Sequence, residues 1–202
     1  MSGLASWRIF AFCCLLSAIC YGQGFLPPTS STPTAAPVSP GPLLIGSAVP
    51  NSLTGRDENG VKRPLLTYKS ALELLVVYFL DSNCAENDKH WSKMRRLYDD
   101  YKDWKVAFVA VNVGGPGAQD DLTRKMKKAG LPISLLNDQA HSLVTAFGVQ
   151  NAPELVILDE SRNLRYRGPL GKEARSAIEA LIGHMSPVPD PEPAEAGGCP
   201  VS

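Results

Sequence analysis

The amino-acid sequence predicts an α/β domain in which a mixed sheet is covered by helices on both faces. Short apolar runs alternate with segments whose apolar residues recur every three or four positions, the period of an amphipathic helix. The run at 74–80 is apolar throughout, as in a strand buried on both faces. The last two runs, 154–159 and 164–168, are separated only by a turn and predict an antiparallel pair. Strands that alternate with helices and end in such a pair indicate a mixed, helix-covered sheet.

The other elements occur in chain order from residue 43. Residues 57–60 (DENG) are a turn signal with apolar residues on either side, which predicts a short hairpin. After the central strand, apolar residues from Trp91 to Trp104 have helical spacing and predict the first long helix. The sequence further predicts a strand at 105–112, a helix at 119–129, a strand at 133–136, a short helix at 139–147 and a last helix at 174–185.

Residues 1–22 have the layout of a secretory signal peptide. Arg8 precedes an apolar stretch at 9–21, and small residues surround a plausible cleavage point after Gly22. A helix of that stretch spans roughly 20 Å, which is short of the roughly 30 Å hydrocarbon core, so no permanent membrane span is expected. We therefore predict an exported protein, periplasmic or secreted. A lipid anchor on Cys20 is less favoured, because the residues before it lack the usual leucine and adjacent small residue.

The rest of the chain divides by composition. Residues 23–42 are rich in Pro, Ser and Thr and predict an extended linker. The predicted domain covers 43–185, and 186–202 form a Pro-rich tail that carries Cys199. The 202 residues suffice for one ordinary domain, and 20 basic side chains balance 20 acidic ones. Such a balance offers no basic stripe, so nucleic acid is not an expected partner.

Cys84 is the candidate reactive residue, because it lies where the central strand turns into the first long helix. Free N–H groups at a helix start stabilise negative charge and can lower the pKa of a thiol. Glu86 and Asp88 in the first turn oppose a thiolate, so we expect Cys84 to be less acidic than the cysteine of a strong oxidant. The alternative is a buried, inert cysteine.

Cleavage after Gly22 would leave Cys84 and Cys199 as the two cysteines of the mature chain. An oxidising compartment permits one disulfide between them, and the alternative is two independent thiols. Cys199 lies fourteen positions after Met185, and in polyproline form this stretch reaches roughly 43 Å, about the diameter of such a domain. The tail can therefore bring Cys199 to Cys84, with Gly197 and Gly198 allowing close backbone approach. A frayed tail whose thiol pairs with other molecules remains open.

Four segments give the chain a resemblance to the thioredoxin superfamily, and within it to redoxin (AhpC/TSA-like) exported proteins. They are GSAVP at 46–50 with its following turn, VVYFLDSNC ending at Cys84, FGVQNAP followed by ELVILD at 147–159, and NLRYRG at 163–168. The resemblance implies a thioredoxin-like three-layer sandwich. It also implies a cis Pro153 lying against Cys84, and an Ala152 backbone that offers hydrogen bonds to an extended substrate.

The departures from the family pattern are as informative as the matches. Asn87 stands where the family's CxxC pair has its second cysteine, and Tyr78 where thioredoxins keep a buried acid. Asn83 replaces the aromatic residue that usually precedes the first cysteine. Val77 and Asp81 occupy positions where typical peroxidases of the superfamily need a proline and a Ser/Thr in the turn before their cysteine. A typical peroxiredoxin reaction is therefore disfavoured.

Two functions from different classes are consistent with these residues. The first is a thiol–disulfide oxidoreductase in which Cys84 attacks and Cys199 or an external thiol resolves the mixed disulfide. Ala152, Pro153, Asn83 and Asn87 would bind the substrate. The second is a non-catalytic thioredoxin-fold binding or structural module. A one-cysteine peroxidase is the least favoured alternative.

The expected partners are protein or small-molecule thiols and disulfides, and the expected state is a monomer. No cofactor and no metal are predicted. His90, His141 and His184 are scattered without metal-ligand spacing, and Cys84 with Asp88 supplies too few ligands for zinc or copper. His141 is expected to cap or solvate the short helix near it.

Overall fold

The computed structural model describes residues 41–71, 73–115, 117, 119–183 and 198–201. The predicted signal peptide, nearly all of the predicted linker and most of the predicted tail lie outside these residues. Within the described residues, every helix is too short or too polar to cross a bilayer.

Strands and helices alternate along the described chain as predicted. The strands are β1 (Thr54–Arg56), β2 (Lys62–Pro64), β3 (Leu74–Leu80), β4 (Val106–Asn112), β5 (Ser134–Asn137), β6 (Asn151–Ala152), β7 (Glu154–Leu158), β8 (Leu164–Gly168) and β9 (Cys199–Pro200). The helices are α1 (Glu86–Tyr101), α2 (Gln119–Lys128), α3 (Ser142–Phe147) and α4 (Lys172–Ile182), with a 3₁₀ turn at Leu65–Tyr68.

Seven strands form one mixed sheet in the order β2-β1-β5-β4-β3-β7-β8. The central strands β3, β4 and β5 run parallel, whereas β1 with β2 and β7 with β8 form the two predicted antiparallel pairs at its edges. A second sheet contains only β6 and β9, which are antiparallel. The sequence had not predicted this small sheet.

The side chains of β3 explain why the molecule has three layers. All seven are buried, and they alternate between the two faces of the sheet. Leu74, Val76, Tyr78 and Leu80 pack in a cluster with buried residues of α1, α2 and α4. Their neighbours in the strand pack in a second cluster with α3 and the 3₁₀ turn. Helices therefore cover both faces, which confirms the predicted fold class.

The first long helix is shorter than predicted. Trp104 was expected on its apolar face, but α1 ends at Tyr101 and Trp104 is 59% exposed. The N–H of Trp104 donates to the carbonyl of Tyr101 at 2.9 Å, so the chain leaves the helix in a turn. Lys105 then adopts a positive φ of 58° and redirects the backbone into β4. The prediction for Trp104 was wrong because helical spacing continued by chance beyond the real end of the helix.

The short helix α3 begins at Ser142, three residues later than predicted. The carboxylate of Asp138 accepts hydrogen bonds from the backbone N–H groups of residues 142–144 at 2.8–2.9 Å, which satisfies the free donors of the first turn. His141 occupies the N-cap position with φ 51° but makes no side-chain capping bond. The capping role expected of His141 therefore belongs to Asp138. Gly148, with φ 63°, ends the helix as predicted.

Candidate functional site

Cys84 lies between β3 and α1, as the sequence predicted. Its N–H donates to the carbonyl of Asp81 at 2.9 Å, and its own carbonyl accepts the N–H of Asn87 at 3.3 Å. Ala85, the N-cap residue of α1, makes no side-chain capping bond. The sulfur is thus held at a helix start, where the helix dipole favours negative charge on it. Only 2% of Cys84 is exposed.

A disulfide joins Cys84 to Cys199 across 115 positions of the sequence. The two Cα atoms are 5.8 Å apart, within the usual range for bridged cysteines. Of the two alternatives left open by the sequence, the structure contains the bridge. Residues 198–201 are thereby held beside the strand-to-helix junction.

The segment around Cys199 also pairs with the backbone next to Pro153. In the β6–β9 sheet, Ala152 lies opposite Cys199 and Asn151 opposite Pro200. The carbonyl of Ala152 lies 3.4 Å from the Cys84 sulfur. A sulfur in a disulfide carries no proton, so this is a polar contact and not a hydrogen bond. The tail therefore occupies the backbone edge that the family resemblance assigns to an extended substrate.

The peptide bond between Ala152 and Pro153 is cis, as the resemblance implies, and both residues are buried. The cis bond ends β6 and starts β7, which pairs antiparallel with β3. Because β3 leads directly to Cys84, this pairing brings the proline turn and the cysteine to the same end of the sheet.

The two asparagines predicted to bind substrate lie in different environments. Asn83 is exposed, and its amide Nδ2 donates to the carbonyl of Gly114 at 3.1 Å. Asn87 is 2% exposed, and its Nδ2 donates to the carbonyl of Asp81. Within the described residues its Oδ1 is buried without a hydrogen-bond partner. Asn83 is accessible to a bound molecule, whereas Asn87 holds the turn before the helix. A substrate contact by either residue stays a prediction.

Known proteins resemble this arrangement. Residues 73–164, a little under half of the chain, match the model of a family described as thioredoxin-like. The mixed sheet, the helices on both faces and the cis proline next to Cys84 agree with that match. This chain contains a thioredoxin-like domain.

A thiol-disulfide oxidoreductase ResA of Halalkalibacterium halodurans is 24% identical over 82 residues. The match covers 41% of this chain and 46% of that protein, so the chain spans under half the length of this relative.

Solved structures share the fold. An uncharacterized conserved protein from Geobacillus kaustophilus superposes with a TM-score of 0.66 at 23% identity, over 79% of this chain and 92% of that one. The thioredoxin domain of a thiol-disulfide oxidoreductase from Bacteroides vulgatus gives a TM-score of 0.58 at 16% identity, over 69% and 99% of the two chains. At these identities the likeness shows the fold alone.

A buried amide pair supports the turn before Cys84 in the thioredoxin-like domain, and sequence reasoning missed it. Asn112 and Asn137 end β4 and β5, and the Nδ2 of the first donates to the Oδ1 of the second at 3.0 Å. The Oδ1 of Asn112 accepts the N–H groups of Ser82 at 3.3 Å and Gly114 at 3.1 Å. The available signal was an asparagine at the end of each of two neighbouring apolar strands.

Glu154 was also missed, although it follows the cis proline directly. Its carboxylate accepts the N–H of Gln150 at 3.3 Å, which fastens the turn that presents Ala152. Partial burial raises the pKa of Glu154, and the N–H groups of Gln150 and Asn151 partly offset that effect. The signal was a single carboxylate beginning an otherwise apolar strand.

Tyr78 fills the buried position at which the resemblance places an acid. It is 2% exposed, and its hydroxyl lies 3.5 Å from the carbonyl of Met94 in α1. Burial raises the pKa of this phenol far above its usual value, so the side chain stays protonated at neutral pH. Tyr78 therefore cannot accept a proton from a reacting cysteine as a carboxylate would.

The carboxylates beside Cys84 face basic partners. Glu86 pairs with Lys89 at 2.6 Å, and Asp88 lies 3.7 Å from Lys125 of α2. These exposed pairs reduce the negative charge that α1 presents at its start. Among the described residues, no three His, Cys, Asp or Glu side chains cluster as a metal site would require.

Proposed function

We propose that this protein is an exported thiol–disulfide oxidoreductase in which Cys84 exchanges with the substrate and Cys199 resolves the mixed disulfide. The observation that carries the proposal is the Cys84–Cys199 bridge at the start of α1, next to the cis Pro153. The substrates are thiols and disulfides of proteins or small molecules, and we propose a monomer.

The proposed reaction balances in two exchanges. In the reduced protein, the Cys84 thiolate attacks one sulfur of a substrate disulfide, forms a mixed disulfide and releases the other sulfur as a thiolate. The Cys199 thiolate then attacks the Cys84 sulfur, releases the bound substrate thiolate and closes the Cys84–Cys199 bond. Each released thiolate takes a proton from solvent. Two electrons pass to the substrate, and an external dithiol restores the reduced protein.

A resolving cysteine that is distant in sequence fits the architecture. Asn87 lies three residues after Cys84, in the first turn of α1, and carries no thiol. It therefore cannot attack a mixed disulfide on Cys84. Cys199 lies opposite Ala152, within bonding distance of Cys84, and supplies the missing group. The helix start stabilises the Cys84 thiolate when it leaves during reduction of the bridge.

One observation favours the second candidate, a non-catalytic module. Cys84 is almost fully buried, as a cysteine of a purely structural disulfide would be. The two functions differ in the behaviour of Cys84 after the bridge is reduced. An oxidoreductase presents a reactive Cys84 thiol that closes the bridge again, whereas a structural module contains a thiol that stays unreactive.

The test uses the chain from Gln23, the proposed mature start, equilibrated in glutathione buffers and then alkylated, with the modified cysteines mapped by mass spectrometry. We expect the Cys84–Cys199 bridge to open and re-form reversibly with the glutathione ratio. We expect Cys84→Ser to abolish reduction of a small disulfide, and Cys199→Ser to stop at a mixed disulfide on Cys84. A Cys84 that resists alkylation after full reduction would refute the oxidoreductase and leave the binding module.

Export rests on the layout of residues 1–22 and has its own test. The chain is expressed with and without these residues, and the N-terminus of the exported product is sequenced. We expect export only with the segment present, and a product that begins at Gln23. Retention of the intact chain inside the cell would contradict the proposed localisation.

A further inference from the structure

The tail does more than supply Cys199, because its backbone is bound in a defined register. Cys199 and Pro200 oppose Ala152 and Asn151, and the N–H of Val201 donates to the carbonyl of Gln150 at 2.9 Å. The bridge therefore closes together with a short antiparallel ladder along residues 150–152. We call this backbone edge the 150–152 edge.

The residue before the tail cysteine is restricted to glycine. Gly198 has a φ of 153°, which side-chain-bearing residues rarely adopt. A Cβ atom on Gly198 would lie 2.9 Å from the carbonyl oxygen of Ala152 and 3.2 Å from the Cβ of Asn151. Both contacts are with the 150–152 edge itself. A residue with a side chain would therefore clash with the edge at this position, and glycine fits.

The two residues after the cysteine also fit the edge. In an antiparallel ladder, hydrogen-bonded pairs alternate with non-bonded pairs. Since Val201 donates to Gln150, the preceding pair of Pro200 and Asn151 is a non-bonded one, where the missing N–H of proline loses no bond. The side chain of Val201 packs against the buried cluster that includes Ala152. The edge thus accepts proline after the cysteine and an apolar residue next.

We infer that the 150–152 edge binds extended peptides that have glycine directly before their reactive cysteine and an apolar residue two positions after it. The tail is the resident ligand of this site. The inference rests on the proposed oxidoreductase function and names the substrate class of the same site. Peptides in which a residue other than glycine precedes the cysteine are therefore expected to be poor substrates.

A consequence concerns the resolving step. The tail and a substrate peptide need the same backbone edge, so they cannot occupy it together. When Cys199 attacks the mixed disulfide, β9 forms on the 150–152 edge and the substrate segment leaves it. The Cys199–Cys84 bond forms as the Cys84–substrate bond breaks, so release of the reduced peptide and its displacement from the edge occur in one strand exchange.

The test measures how fast Cys84 reacts with peptides in the Cys199→Ser variant of the chain from Gln23. The probe is the peptide of residues 196–202, AGGCPVS, with its cysteine joined by a disulfide to thionitrobenzoate. Attack by Cys84 on the peptide sulfur releases the coloured thionitrobenzoate anion. The matched peptides carry alanine in place of the glycine before the cysteine, or an N-methyl group on the valine. The thionitrobenzoate disulfide of free cysteine is the control for intrinsic reactivity.

We expect the parent peptide to react about tenfold faster than either matched peptide, the ratio given by roughly 1.4 kcal/mol of lost binding. Equal rates for the three peptides, with normal reaction of the small control, would overturn the inference and leave the oxidoreductase intact. No reaction with the small control would instead refute the proposed function itself.

A second measurement uses the unbroken pair of cysteines. In the chain from Gln23, Gly198→Ala is expected to shift the glutathione equilibrium toward the open form by about tenfold, because the tail no longer fits the edge. Gly117→Ala is the matched control, since a Cβ atom there meets nothing within 4 Å. An unchanged equilibrium in Gly198→Ala would contradict the fit of glycine at this position.

Discussion

The two sheets of this protein are held together in different ways. β3 of the large sheet has seven buried residues and is paired along both sides, whereas β6 and β9 of the small sheet have two residues each. The large sheet is stabilised by burial of apolar side chains, a contribution that every residue of β3 makes. The small sheet depends on one covalent bond, a few backbone contacts and the packing of Val201 beside it. The fold and the redox state can therefore be perturbed separately.

The difference also explains how an oxidoreductase can open its site without unfolding. Two-residue strands bury too little to persist without support, so breaking the disulfide removes the main restraint on β9. The Cys84 turn, in contrast, stays fixed to β4 and β5 through the buried amides of Asn112 and Asn137. Reduction is thus expected to release the tail while the reactive cysteine keeps its position.

The largest expected effect comes from the large sheet. Phe79 of β3 is fully buried and contacts the ring of Phe147 edge-on, with centroids 5.9 Å apart. Phe79→Ala leaves a cavity, and we expect it to lower the free energy of unfolding by about 3–5 kcal/mol. The loss should be the same with and without reductant, as measured by denaturant unfolding. Leu44→Ala, at a side chain 74% exposed, is the control. A loss confined to the oxidised protein would contradict the separation of the two sheets.

The next effect concerns the bridge. Cys199→Ser removes a link that closes a loop of 115 residues, and we expect the oxidised protein to lose about 2–5 kcal/mol of unfolding free energy. The constraint acts mainly on the unfolded chain, so the variant should match the reduced wild-type protein. Denaturant titrations of both, with and without reductant, measure the difference. If the variant stayed less stable than the wild type under reducing conditions, Cys199 would also stabilise the fold through contacts other than the disulfide.

The smallest effect is a pH dependence at the cis-proline turn. Burial raises the pKa of Glu154 above its ordinary 4.5, so the folded state holds its proton more tightly than the unfolded state. The stability from this group is fully present below pH 4.5 and is lost as pH rises through the raised value. Glu154→Gln has no carboxyl group at this position and therefore does not show that loss. The unfolding free energy of the variant minus that of the wild type should rise from low to neutral pH, by less than about 1 kcal/mol.

Unfolding free energies at several pH values between 4 and 7.5 measure this difference, roughly spanning the carboxyl range. Glu160→Gln, on the exposed turn between β7 and β8, is the matched control. A difference between Glu154→Gln and wild type that stays constant with pH would show that the side chain acts only through the hydrogen bond that it accepts from Gln150.

The sequence by itself determined the large sheet and its helices. Three local patterns carried this prediction: the wholly apolar β3, the turn at 57–60 and the helical spacing after Cys84. An element that buries one or both of its faces needs apolar residues at regular spacing, and such spacing can be read from the sequence. The same patterns placed Cys84 at the start of a helix. The same patterns predicted that α1 reaches Trp104, three residues beyond its end at Tyr101, because helical spacing alone does not show where the packing of a helix ends.

Only the tertiary structure decided how the site is completed. Two-residue strands have no periodicity to detect, so the pairing of β6 with β9 was not visible in the sequence. The bridge of Cys84 with Cys199 was one of two open alternatives, because chain length showed that the tail could reach and not that it did. The Asn112–Asn137 amide pair arises from a contact between separate strands. The Asp138 cap of α3 is a local contact, within six positions of the chain, that the sequence pattern had assigned to His141. The sequence determined the fold through local burial patterns, whereas contacts between distant residues assembled the site.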